Sequence, residues 1–139
     1  MIMKQFFALA LLLLPATALA ECKELLDRAT PQIQAAYDAD LRMQGRLMSL
    51  ANSTVEQLCQ AAPTVQAELS QAWWLATQVE KVLGEVVNNA SCSEGMRKQA
   101  ETTRSSYSAA AKRLVLARNG MEDKAGLHCK ATATPTAAP

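Results

Sequence analysis

The sequence predicts an all-α protein, an antiparallel up-down-up bundle of three long helices stapled by two disulfides. Three observations predict it. Glycine is scarce, alanine, leucine and glutamine are abundant and β-branched runs are nearly absent, a composition that favours helix. Apolar residues recur at three- and four-residue steps through three long stretches, the spacing that places a set of side chains on one helix face. Four cysteines, Cys22, Cys59, Cys92 and Cys129, fall at intervals of 37, 33 and 37 residues and bracket those stretches.

Residues 1–20 carry the three parts of a secretory signal peptide. Lys4 supplies the positive n-region, Phe6 to Leu14 the apolar h-region, and Ala18-Leu19-Ala20 the small residues at −3 and −1. The apolar run is shorter than the roughly 20 residues a membrane span needs, so cleavage before Glu21 is the expectation. Leu19-Ala20-Glu21-Cys22 nearly matches a lipobox, but Glu21 stands where lipidation needs a small residue. With Lys4 removed, 13 basic residues oppose 13 acidic ones. A near-zero net charge gives no support to nucleic acid as a partner.

In the first helical stretch Leu26, Ala29, Ile33, Tyr37, Gln44, Leu47 and Ala51 form the stripe. Asn52-Ser53-Thr54 offers an N-cap to one short extra helix over 54–61, after which Pro63 restarts the chain at the first turn of the second long helix. There the stripe is Val65, Leu69, Ala72, Ala76, Val79, Leu83 and Val86. Asn88 to Ser91 separates the second and third helices, with Ser91 or Ser93 as the next cap. Met96, Ala100, Thr103, Tyr107, Ala110, Leu114, Ala117 and Met121 mark the third helix, which Asn119-Gly120 can end or bend. The bundle domain is therefore 21–129, and residues 130–139, rich in Ala, Thr and Pro without apolar period, read as a disordered tail.

The disulfide pairing follows from rod length. A helix of about 27 residues is about 40 Å long, whereas bonded Cα atoms lie about 4.4–6.8 Å apart. A cysteine therefore cannot reach the one at the far end of its own helix. That excludes 22–59 with 92–129, and also 22–129 with 59–92. Cys22–Cys92 and Cys59–Cys129 remain, one at each end of the bundle. Shifting the chain by 70 residues also lays Tyr37 on Tyr107, and either a duplicated helical unit or similar packing demands on two parallel helices accounts for the match.

No catalytic constellation emerges. His128 is the only histidine, and its neighbour Cys129 is committed to a disulfide. Asp38 with Asp40 and Glu122 with Asp123 point in different directions on a helix. No metal site or cofactor is expected: a lone histidine cannot build a His-rich centre and no C-x-x-C-H occurs. Met96 and Met121 fall on the core stripe, where methionine is ordinary filler.

Two features suggest binding. Adjacent residues Trp73 and Trp74 are 100° apart on a helix, so both cannot enter one seam. Trp73 lies at the flank of the stripe, and Trp74 among Ser70, Gln78, Lys81 and Glu85, either covered by the 54–61 segment or a neighbouring loop, or left for a partner. In the third helix Arg97, Arg104, Lys112 and Arg118 fall within about a third of the circumference. Such a row is either a solvated face paired with the acidic second helix or a surface for an anionic partner. The sequons Asn52-Ser53-Thr54 and Asn89-Ala90-Ser91 are expected to be unused, because the short signal and Ala/Gln-rich composition are of bacterial type.

The expectation is thus an exported, non-enzymatic protein-binding protein of the bacterial periplasm, with an inhibitor, immunity or accessory protein as its concrete forms. The partner's identity and any homo-oligomer are left open. The alternatives are an envelope-surface protein holding anionic lipid or polymer through the basic face, and a structural subunit of a secretion apparatus.

Overall fold

The computed structural model describes residues 16–129; the predicted h-region and the predicted tail lie outside them. Three helices occupy this range, α1 (Ala16–Ala51), α2 (Val55–Val87) and α3 (Glu94–His128), and no strand occurs among the described residues. Each helix is about 50 Å long at about 1.5 Å per residue. α1 runs through the predicted cut between Ala20 and Glu21 without a break.

The connections are short and chemically specified. Thr54 is the N-cap of α2: its side chain accepts from the Gln57 N–H at 3.2 Å, and the Gln57 side chain accepts from the Thr54 N–H at 2.9 Å. Two otherwise orphaned donors are satisfied by this capping box. Ser93 caps α3 by accepting from the Met96 N–H. Between α2 and α3 the Asn89 side chain accepts from the Ser91 N–H at 2.9 Å, the local turn that Asn favours.

Thr54 caps the long second helix itself rather than a short extra one. No separate helix covers 54–61; α2 starts at Val55 and continues through Pro63. A proline inside a helix costs about 3 kcal/mol or more because it removes one hydrogen bond and crowds the carbonyl of residue i−4. Against that, Ala62, Val65 and Leu69 are all buried on the inward face. Burying one large aliphatic side chain is worth about 1.5–3 kcal/mol, so continuity wins. Likewise Asn119-Gly120 does not end α3: Met121, one residue on, is buried and holds the register.

α2 is the central helix, packed against α1 on one side and α3 on the other. Its Val65, Leu69, Val79 and Val86 are completely enclosed. α1 supplies Leu25, Ala29, Ala36, Ala39 and Met43, and α3 supplies Ala100, Ala110, Ala111, Leu114 and Met121. The side chains form a cluster at each end of the bundle, and the half-buried Leu75 and Tyr107 pack against both. The stripe predicted for α1 is turned by about one residue. Tyr37 is 54% exposed and Gln44 is on the surface, because Ala36, Ala39 and Met43 take the enclosed positions of this part of α1. Met96 is also half-exposed rather than core, its Sδ 3.9 Å from Cys22 Sγ.

The two tyrosines matched by the 70-residue shift do different jobs. Tyr107 reaches from α3 to α1 and donates its hydroxyl to the Ile33 carbonyl at 3.1 Å. Burial, with Asp40 and Tyr37 nearby, pushes the Tyr107 pKa up, which keeps the hydroxyl protonated as a donor. Tyr107→Phe is expected to cost about 1 kcal/mol, the usual net value of one hydrogen bond, read as a lower urea midpoint with an unchanged slope.

Both predicted disulfides are present. Cys22–Cys92 has Cα atoms 5.2 Å apart and joins the start of α1 to the connection before α3. Cys59–Cys129 has Cα atoms 5.4 Å apart and joins the second turn of α2 to the end of α3. The first pair is enclosed, at 4% and 3% exposure, whereas the second is half-buried.

Candidate functional site

The structure brings together three of the six residues singled out as partner-binding, on the seam between α2 and α3. Trp73 projects from α2 toward α3 and is 36% exposed. The Arg118 guanidinium carbon lies 6.0 Å from its ring centroid, within the range of a cation–π contact. Trp73 and Lys112 line an open cleft of about 570 Å³ together with Glu80, Ser108, Val115 and Leu116. Leu116 is 71% exposed at its rim. Val115 and Leu116 escaped the sequence reading because they sit outside the apolar stripe of α3, and an isolated apolar residue on a surface carries no signal of its own.

Trp74 stands apart from this cleft, a residue further round α2, and is 54% exposed. The segment expected to cover it is the first part of its own helix, so it cannot fold back over the ring. An exposed indole on a continuous helix results.

The basic residues do not form one even row. Arg104 hydrogen-bonds Glu101 on its own helix at 3.3 Å. Arg97 is half-buried, and its Nε is enclosed without a hydrogen-bond partner. Lys112 and Arg118 have no ion pair among the described residues. Two acidic residues of α2 are engaged elsewhere, by ion pairs that run to α1: Glu85 meets Arg28 at 3.0 Å and Glu68 meets Arg46 at 2.7 Å, whereas Glu80 lines the same cleft as Lys112.

The Arg46 fork grips both Glu68 oxygens. The hydrogen bond from Arg46 is the main cause that holds the Glu68 pKa below its ordinary value. A lowered carboxylate contributes stability that is present above its unfolded pKa and lost as pH falls through the folded value. This pair borders a second open cleft, of about 620 Å³, between α1 and α2 with Arg42 and Met43.

The residues weighed for catalysis remain scattered. Asp38 accepts from Gln34 and Asp40 from Gln44, each one turn along α1 in opposite directions. His128 is exposed in the last turn of α3. Among the described residues no three His, Cys, Asp or Glu side chains converge as metal ligands, and no helix is long and apolar enough to cross a membrane.

No protein-family model matches the chain, and no curated protein or solved structure is significantly similar to it.

Proposed function

We propose that the chain is an exported, non-enzymatic binding protein of the bacterial periplasm, and that it engages a protein partner through Trp74 and the adjoining α2–α3 seam around Trp73. The observation that carries this reading is the 54% exposure of Trp74 on an unbroken helix. Tryptophan is enriched at interface hot spots, where one large ring becomes fully desolvated against the partner. Trp73, Leu116 and the cations Lys112 and Arg118 extend the surface with apolar area and a charged rim, the anatomy of an interface core and its edge. Two disulfides fit an oxidising compartment, which agrees with the signal peptide read in residues 1–20. An inhibitor, immunity or secretion-accessory role is the concrete form of this reading.

The alternative, anionic lipid or polymer held by the basic face, is weaker. It needs Arg97, Arg104, Lys112 and Arg118 to act as a row, yet Arg104 is paired with Glu101 and Arg118 lies against Trp73.

Trp74→Ala tests the reading. The substitution is at the surface and is expected to change stability by less than about 0.5 kcal/mol, with an unchanged circular dichroism spectrum. Proteins cross-linked to the wild type in intact cells should be lost from the variant. Unchanged recovery from a folded variant refutes the Trp74 interface.

A further inference from the structure

The last turns of α3 are held differently from the rest of the bundle. From Glu122 to His128 no side chain is buried; Ala125 is half-buried and Leu127 is 75% exposed. Gly120 precedes this stretch and Gly126 lies within it, each a weak helix former by about 1 kcal/mol against alanine. Burial thus contributes little to keeping the segment in place. The covalent tie from Cys129 to Cys59 lies directly beyond it.

Lys124 of this segment joins Ala117, Gly120 and Met121, which precede it, along the α3 side of a cleft. Between the end of α1, the start of α2 and the end of α3 lies a space of about 420 Å³, bordered by Leu47, Leu50, Leu58, Met121 and Lys124. Leu58 is the neighbour of Cys59, so the disulfide closes the same end of the bundle as this apolar space. The opposite disulfide is placed otherwise: Cys22 and Cys92 are enclosed and belong to the core cluster of Ala29, Val82 and Val86.

We propose that Cys59–Cys129 is a reductively released lock on the C-terminal turns of α3, opened by an external dithiol while Cys22–Cys92 stays intact. A thiolate of the dithiol attacks one sulfur of this pair, whose two cysteines are half-buried where those of the other bond are enclosed. The Cys59–Cys129 bond breaks, a mixed disulfide forms, and the departing cysteine sulfur leaves as thiolate and takes up a proton. The second thiol of the reductant then attacks its own mixed-disulfide sulfur, freeing the other cysteine as a thiol and leaving the reductant as a cyclic disulfide. Two electrons and two protons pass from dithiol to protein. Access selects the site, since exchange requires the attacking sulfur to reach the bond. Once released, the turns after Met121 fray as a unit of low local stability, and the cleft beside Leu50 and Leu58 gains solvent access.

The oxidised protein, treated with increasing dithiothreitol, quenched with iodoacetamide and mapped by peptide mass, provides the test. Alkylated Cys59 and Cys129 are expected before alkylated Cys22 and Cys92. The partly reduced species should lose amide hydrogen-exchange protection over 122–128, retain it in α2 around Leu69 and Val79, and enhance the fluorescence of an anilinonaphthalene sulfonate dye. The variant Cys59→Ala/Cys129→Ala, which is permanently open, should show the same loss and the same dye signal without reductant. Reduction of Cys22–Cys92 first, simultaneous reduction of both bonds, or undiminished protection over 122–128 in the open variant would overturn the proposal.

Discussion

Cys22→Ala/Cys92→Ala is expected to lower the unfolding free energy by more than about 4 kcal/mol. The bond spans 70 residues, and cross-linking a chain over that separation removes enough unfolded-state entropy to contribute about 4 kcal/mol in the chain-entropy account. Packing adds to this. Both sulfurs are enclosed in the core cluster with Leu25, Ala29 and Val86, so truncation also leaves unfilled space there. Cys59→Ala/Cys129→Ala removes a bond of equal span from a half-buried site, and should cost less. Urea titrations of the two variants read the difference directly. Equal midpoints would mean that packing around the enclosed sulfurs contributes nothing. Since small domains are stable by only about 5–15 kcal/mol in total, the first variant is also expected to melt well below the wild type.

Leu69→Ala is the second large effect expected, at about 3–5 kcal/mol, the upper part of the range for a leucine truncated in a core. Leu69 is completely enclosed, and Ala72, Ala76 and Ala111 belong to the same cluster. Alanine has no rotamer with which to move into a vacated volume, so closing the cavity falls to the longer Met43, Leu114 and Met121 of the same cluster. Leu116→Ala is the control. Its side chain is 71% exposed, and its removal should shift the urea midpoint by the equivalent of less than about 0.5 kcal/mol.

Much of this architecture was legible because it depends on length and period, which a sequence states directly. The disulfide pairing followed from rods too long for a cysteine to meet the one at its far end, and it is the pairing present. The stripe of α2 from Val65 to Val86 is buried throughout, because a central helix has the deepest and most continuous apolar face. What local signals could not convey was competition with tertiary packing. Pro63 and Asn119-Gly120 are breakers by propensity, yet each is followed within two residues by a buried side chain that keeps its helix going. Tyr37 and Met96 fit an apolar period but are half-exposed, while Ala36 and Ala39 on α1 and Ala100 on α3 take the enclosed positions beside them.

The candidate surface was legible in its rings and charges but not in its grouping. Trp73, Lys112 and Arg118 converge, whereas Arg97 and Arg104 belong to an earlier part of α3 and are otherwise engaged. Trp74 could be placed away from the core by helical angle alone. Whether another segment covered it turned on whether 54–61 was a separate element, and that was decided by the burial of Ala62, Val65 and Leu69, which carries α2 through Pro63, rather than by any feature near the tryptophan.

The placement of the two bonds makes the oxidised molecule tolerant of backbone cleavage. A cut in the 52–54 connection leaves the N-terminal piece attached through Cys22 to Cys92, and a cut between Asn88 and Ser91 leaves the two pieces joined at both ends. A protease acting once at either exposed turn therefore yields a nicked but undissociated particle, and the helices separate only when cleavage is followed by loss of the sulfur links.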